Sequence, residues 1–278
     1  MEGKQNGAEF THCPHCKRFV GPLEECPFCG ADVPKKRSTI YLKYSALAIA
    51  VVGTLLLIPW AMYTETPVIK VRDISPSYNN AVIKVRGIVP DTPSYYDNPT
   101  GKAFYFSVDD GTGIMPVKIY DDVVRDMLAQ NSPSHPVIPA FGDKVEIAGS
   151  LQYRSNDFYL IVNHISQIKV IRSEAGEVTI KEILAYTKEN ESARVKVRGN
   201  VTAIREYAFA YDYLIQDAQG YRIDVFVPKS LSNLTGMLPE IHEKNEIVVS
   251  GALKYYVSGN TGKWEIIPSA SWEIEVLQ

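Results

Sequence analysis

Val82 to Val89 reads VIKVRGIV, and Arg194 to Val201 reads RVKVRGNV, so the chain repeats the tetrapeptide KVRG. The likeness continues downstream in both copies. FYFSVDDGTGIMPVKIY corresponds to YLIQDAQGYRIDVFV, and GDKVEIAGSLQYR corresponds to KNEIVVSGALKYY. A repeat of this length predicts two domains of the same architecture rather than one large domain.

The repeated segments alternate between apolar and polar residues with a period of two, which is typical of half-buried antiparallel strands. Asp110 to Gly113 and Asp217 to Gly220 supply tight hairpin turns between the second and third strands. A helix is predicted from Tyr120 through Gln130, with acidic residues at its positive end. Its counterpart from Pro228 to His242 is interrupted by proline. Each copy therefore reads strand, strand, strand, helix, strand, strand.

This element order is that of the five-stranded OB-fold barrel. The pattern VxVRGxV, FxVxDGTGxxxVxxY and GDxVxxxGxL resembles the anticodon-binding type of OB domain found in aminoacyl-tRNA synthetases, replication proteins and helicases. The fold class expected is mainly β, with a first OB-fold at residues 66–173 and a second at 174–278.

The resemblance implies a binding face for single-stranded nucleic acid. The family places a base-stacking aromatic residue on the second strand, five positions before the hairpin Asp, which falls on Tyr105. With Phe104, Phe106 and Val108 facing the interior, Tyr105 should point outward. The second copy has Asp212 at this position, and a polar family position on the third strand is Pro116. The family's ligand contacts are thus kept less well than its strands.

Other aromatic and basic residues near strand ends could extend such a face, namely Tyr153, Arg154, Tyr159 and Tyr255. Stacking on each ring could contribute roughly 1 to 3 kcal/mol per base. Tyrosine is also a good strand former, so the alternative is that these rings only cover the sheet surface.

The N-terminal segment carries all four cysteines of the chain, Cys13, Cys16, Cys26 and Cys29. Two CxxC motifs separated by nine residues are typical of two knuckles that direct four thiolates to one structural zinc ion. The segment resembles the short zinc ribbons at the N-terminus of many prokaryotic membrane proteins. A zinc ribbon with a basic linker is expected over residues 1–37, with His12 and His15 as surface residues.

Tyr44 to Tyr63 contains twenty residues without a charge, enough to cross a bilayer as a helix, so a membrane anchor is predicted at 38–65. Lys35, Lys36, Arg37 and Lys43 precede it. The positive-inside rule therefore predicts a single-pass protein of the cell membrane, with a cytoplasmic N-terminus and external OB-folds.

The formal net charge of the 278 residues is −3. From Pro67 onward, 22 Lys and Arg face 26 Asp and Glu, a difference of −4. A domain that grips phosphates is usually basic, so the charge argues mildly against tight nucleic-acid binding. None of the histidines has a partner spaced for catalysis, and an enzyme is not expected. Two functions remain open: a membrane-anchored protein that binds single-stranded nucleic acid or another extended polymer, and a protein-interaction or envelope-assembly module with no nucleic-acid ligand.

Overall fold

The computed structural model describes residues 12–21, 23, 25–33, 37–63, 66–99, 101–258 and 261–277. The linker positions 34–36 and the N-terminal part of the predicted zinc ribbon lie outside the described residues. The chain forms two compact units, Met1–Glu65 and Thr66–Gln278.

The first unit contains the cysteine segment and helix α1, Arg37–Tyr63. Within the described part of the chain, no helix combines the length and the apolar character needed to cross a membrane. The membrane span predicted at 38–65 is therefore not confirmed, and its residues 64 and 65 lie outside the described residues.

The second unit is mainly β and contains two seven-stranded sheets. The strands of the first sheet are β1 Val82–Ile88, β2 Ser94–Asn98, β3 Gly101–Asp109, β4 Ile114–Tyr120, β5 Lys144–Arg154, β6 Asp157–Val162 and β7 Ile168–Ile171. Helix α2, Asp121–Gln130, lies between β4 and β5 in the chain, as predicted. Strand β1 pairs with β3 and β5, β3 with β4, β4 with β6 in parallel, and β6 with β5. These five strands therefore form a closed cycle of pairings.

The second sheet repeats this cycle. Its strands are β8 Gly176–Glu177, β9 Arg194–Glu206, β10 Ala210–Gln216, β11 Arg222–Pro228, β12 Glu246–Ser258, β13 Thr261–Ile267 and β14 Ile274–Leu277. Here β9 pairs with β10 and β12, β10 with β11, β11 with β13 in parallel, and β13 with β12. The predicted order of three strands, a helix and two strands is thus present twice, although the second helix, α4, is short and spans Leu231–Thr235.

Each sheet encloses its own apolar core. Phe104, Phe106 and Val108 are buried in the first core, as the alternation predicted. In the second core, Tyr213 and Ile215 occupy the corresponding part of β10. Successive residues of a strand point to opposite faces, so burial of this set directs its neighbours outward.

Elements in three segments were not predicted. Residues 66–81 contain two short 3-10 helices, Val71–Asp73 and Pro76–Tyr78, ahead of the first sheet. Strand β2 forms a hairpin with β3. Helix α3, Ile180–Leu184, precedes the second sheet and begins with a capping box at Thr179. All three are short segments, for which the periodic signal in a sequence is weak.

Candidate functional site

The four cysteines form one cluster in the first unit, and their sulfur atoms lie within 4.8 Å of one another. Two matching turns bring them together. In the first turn, the Lys17 N–H donates to the Cys13 carbonyl at 2.9 Å, and in the second, the Gly30 N–H donates to the Cys26 carbonyl at 2.8 Å. Lys17 and Gly30 both have positive φ, at 58° and 68°. The two CxxC motifs therefore fold as equivalent knuckles.

The geometry of this cluster fits a metal ion. The Sγ atoms of Cys13 and Cys29 are 3.6 Å apart, and those of Cys16 and Cys26 are 3.5 Å apart. Four sulfurs at about 2.3 Å from a tetrahedral ion would be about 3.8 Å from one another. The four cysteines could thus bind a metal ion with a closed set of ligands.

On the outward side of the first sheet, four tyrosines form a surface that we call the tyrosine platform: Tyr96, Tyr105, Tyr120 and Tyr159. The Tyr105 ring lies 5.6 Å from Tyr96 and 6.2 Å from Tyr120, both edge to face. Tyr96 and Tyr120 are exposed, whereas Tyr105 and Tyr159 are half-buried. Offset and edge-to-face contacts hold such rings in place and leave faces open for a planar ligand.

A lysine lies within this platform. Lys118 is the cross-strand partner of Tyr105, and its Nζ is 3.8 Å from the centre of the Tyr159 ring. Within the described residues, Lys118 has no carboxylate partner. Burial is the main effect that raises the pKa of Tyr120, with further contributions from Tyr105 and Tyr159. The platform therefore presents four tyrosine rings and one lysine that has no carboxylate partner among the described residues.

Two hairpins flank the platform. The β2–β3 hairpin carries Tyr96, and the β5–β6 hairpin carries Tyr153 and Arg154. The Tyr153 ring packs on Phe158 at 4.7 Å, and its hydroxyl donates to Asn156 at 2.8 Å. Arg154 is exposed at the end of β5.

The same face of the second sheet has a different chemistry. Asp212, the counterpart of Tyr105, is only 3% exposed. Arg205 lies 3.2 Å from its Oδ2, whereas its Oδ1 has no hydrogen-bond partner among the described residues. Burial, reinforced by Asp224, raises the pKa of Asp212 to about 6. Burial tends to lower the pKa of Lys263. The neighbouring carboxylates of Glu265 and Asp224 outweigh this effect and raise the pKa of Lys263 to about 12.

The five proposed contact residues for nucleic acid are thus placed unequally. Tyr105 and Tyr159 lie in the tyrosine platform, and Tyr153 and Arg154 lie on an adjacent hairpin. Tyr255 lies elsewhere, because it packs against the second core and its ring is 5.0 Å from Trp264. The alternation along β12 could have predicted this inward orientation. Tyr255 follows the buried Leu253 by two residues, so both side chains point to the same, inner face.

The prediction from sequence missed Tyr96, Lys118 and Tyr120. Tyr96 belongs to the unpredicted strand β2, although two strand-forming tyrosines followed by the turn-forming residues Asp97 to Pro99 could have indicated a hairpin. Lys118 and Tyr120 are two residues apart on β4, so the alternation placed them on one face. Only the pairing of β4 with β3 shows that this face is shared with Tyr105.

No protein-family model matches the chain, and no curated protein matches its sequence. Among solved structures, the tetrameric p202 HIN2 aligns with 72% of this chain and 97% of its own, at 13% identity and a TM-score of 0.29. A Replication Protein A heterotrimer bound to ssDNA aligns with 75% of this chain and 51% of its own, at 14% identity and a TM-score of 0.37. An OBody bound to hen egg-white lysozyme aligns with 38% of this chain and 98% of its own, at 20% identity and a TM-score of 0.29. Such low scores and identities do not by themselves assign a function.

Proposed function

We propose that the chain is a binding protein rather than an enzyme, and that the first of two OB barrels binds single-stranded nucleic acid through the tyrosine platform. The observation that carries this proposal is the contact of Tyr105 with two further tyrosines on one outward face. Aromatic rings stack on bases irrespective of sequence, because every base has a π face.

Charge supports the same location. Lys118 has no carboxylate partner within the described residues, and Arg154 extends the surface at the adjacent hairpin. Each cation could contact one phosphate and release counterions, which stabilises binding at low salt. The second sheet is a poorer site for a nucleic acid, because the buried Asp212 replaces the stacking ring.

Titration of the full chain with a fluorescent single-stranded oligonucleotide at low salt tests the proposal. Tyr105→Ala should weaken binding by roughly 1 to 3 kcal/mol, the usual effect of losing one stacked base. Tyr256→Ala is the matched control, since this ring is also on an outward face but belongs to the second sheet. Equal effects of the two substitutions, or no binding by the unmodified protein, would reject the platform as the site.

We further propose that the metal ion held by the four cysteines is zinc. Thiolate sulfur is a preferred zinc ligand, and four of them leave no open position for catalysis. Purified protein should contain one equivalent of zinc, and Cys16→Ser should lose it. His15→Ala is the control and should retain the metal. Less than half an equivalent in protein with reduced thiols would contradict the assignment.

For localisation we propose that the segment predicted at 38–65 anchors the chain in the cell membrane with the N-terminus in the cytoplasm, although no helix among the described residues has the length and apolar character of a span. Leu55, Leu56, Leu57 and Ile58 are consecutive and each is more than half exposed. Consecutive helical residues point in different directions, so apolar side chains surround the helix, as a lipid environment favours. An impermeant thiol reagent should label Asn233→Cys on intact cells and should reach Asn6→Cys only after lysis. The reverse pattern would overturn the orientation.

A further inference from the structure

A cavity of about 370 Å³ opens on the outward face of the second sheet. Its walls are aromatic. Tyr207 and Phe209 stack at 6.1 Å with an interplanar angle of 18°, and Phe226 lies 6.2 Å from Phe209. Tyr256 on β12 and Thr92, from the segment between β1 and β2, complete the lining. At about 30 Å³ per water molecule, this volume corresponds to about twelve waters. The cavity is therefore large enough for a side chain or a small organic molecule.

Carboxylates lie at one side of this cavity. Asp212 and Glu265 line it. Asp224 forms ion pairs with Arg205, which also pairs with Asp212, and with Lys263, which also pairs with Glu265. Arg205 and Lys263 neutralise two of the three acids. Lys254 also lines the cavity, but it pairs with Asp91 at 2.9 Å. The cluster of three acids and two bases thus has one negative charge in excess when all five groups are ionised.

One atom of this cluster lacks a partner. The Oδ1 of Asp212 is buried and accepts no hydrogen bond from any described residue. Buried acceptors are almost always paired, so an orphan at the edge of a cavity indicates a missing donor. The missing group should carry N–H donors and fit among aromatic rings.

We propose that this cavity binds a cationic nitrogen group, either an alkylguanidinium or an alkylammonium. One positive charge balances the excess carboxylate, and its N–H groups supply the donor that Asp212 lacks. The Tyr256 ring already lies near the Lys263 ammonium, at 5.9 Å, whereas the exposed rings of Tyr207 and Phe209 can attract a further cation through their negative π surfaces. A phosphate would meet repulsion at the same place. The ligand is therefore of a different class from that of the tyrosine platform, and it could be an arginine or lysine side chain of a protein partner or a free small amine.

Ligand-observed saturation-transfer NMR on the full chain tests the charge requirement. The probes are the tripeptide Gly-Arg-Gly, its neutral isostere Gly-citrulline-Gly, and agmatine as a free guanidinium. Gly-Arg-Gly should bind at least tenfold more tightly than the citrulline peptide. Equal affinities would overturn the proposal, because citrulline keeps the shape and most N–H donors but not the charge. Tighter binding of the tripeptide than of agmatine assigns the site to a protein side chain, and the reverse order assigns it to a small amine.

Two substitutions locate the binding. Asp212→Asn should weaken Gly-Arg-Gly binding at least tenfold, and Phe209→Ala should weaken it severalfold. Phe209 is 67% exposed, so its truncation should leave the core intact. This second variant therefore tests the site even if Asp212→Asn fails to fold. Asp122→Asn is the matched control, since this acid is exposed on α2 of the first sheet. Unchanged affinity in both cavity variants would place the cation elsewhere and reject the site.

Discussion

The two sheets place opposite chemistry at one position of the same strand. Tyr105 and Asp212 both lie five residues before the hairpin Asp and both point away from the core. In the first sheet the position belongs to a surface of tyrosines with an unpaired lysine, and in the second it belongs to a buried cluster with excess acid. On this strand the repeat therefore preserves the apolar character of the inward positions, while the outward position differs. Two folds of the same plan can thus present surfaces for different ligands.

A second difference lies at the turn before the fourth strand of each cycle, and it predicts the largest effect on stability. Asp143 accepts from the Ala140 N–H at 2.9 Å and forms an ion pair with Arg172 at 2.7 Å, with no exposed side-chain surface of its own. Asn245, its counterpart, accepts from the His242 N–H at 2.6 Å and is not paired with a base. The side chain that accepts the backbone N–H is thus a carboxylate in the first turn and an amide in the second.

Asp143→Ala should therefore lower the free energy of unfolding by about 3 to 5 kcal/mol, because it leaves the buried Arg172 guanidinium without its carboxylate and with only the Ile138 carbonyl as acceptor. Asn245→Ala should lower it by only about 1 kcal/mol, the typical net effect of one hydrogen bond. Denaturant unfolding followed by circular dichroism measures both. Similar losses in the two variants would show that the ion pair adds nothing to the turn.

These comparisons show what the sequence could predict. Alternation placed Phe104, Phe106 and Val108 inside and Tyr105 outside, because a strand has only two faces. The spacing of the two CxxC motifs predicted the cluster of Cys13, Cys16, Cys26 and Cys29, since a short segment without a core has few ways to arrange four thiols.

Contacts between distant segments could not be predicted. The meeting of Lys118 and Tyr159 depends on the parallel pairing of β4 with β6. The aromatic cavity depends on Thr92 lying close to the second sheet. Pairing of distant strands decides the first contact and packing between the two sheets decides the second, and no local pattern along one strand encodes either.

The buried Asp212 of the second sheet should make the stability of the protein depend on pH. The folded-state pKa of Asp212 is about 6, above its ordinary value of 3.8. Between these two values the folded state holds a proton that the unfolded state has released, so stability falls as pH rises. The contribution of Asp212 is fully present below about pH 4 and is lost above pH 6.

Asp212→Asn should consequently be more stable than the unmodified protein at pH 7.5, by at most about 3 kcal/mol, the equivalent of the raised pKa. At pH 4 the two proteins should differ little. Urea unfolding at several pH values between these limits gives the difference directly. A difference that does not change with pH would mean that Asp212 is ionised throughout and is stabilised by Arg205.

The smallest expected effect concerns the residue before Asp143 and Asn245. Gly142 has φ 82° and Lys244 has φ 74°, and each donates its N–H to the equivalent carbonyl, that of Val89 or Val201. A side chain in this left-handed region costs about 1 kcal/mol, and glycine loses more chain entropy on folding, which offsets part of that cost. Lys244→Gly should therefore raise the free energy of unfolding by only about 0.5 kcal/mol.

The reciprocal change should have the opposite sign and a larger size. A Cβ at Gly142 would lie 3.0 Å from the Ala252 Cβ and 3.2 Å from the Ser192 carbonyl oxygen, so crowding adds to the backbone strain. Gly142→Ala should lower the free energy of unfolding by about 2 kcal/mol. Lys244 is exposed and meets no such crowding. If the two substitutions changed the free energy of unfolding by equal and opposite amounts, backbone conformation alone would explain the difference between the turns. Crowding against Ala252 would then contribute nothing to the stability difference.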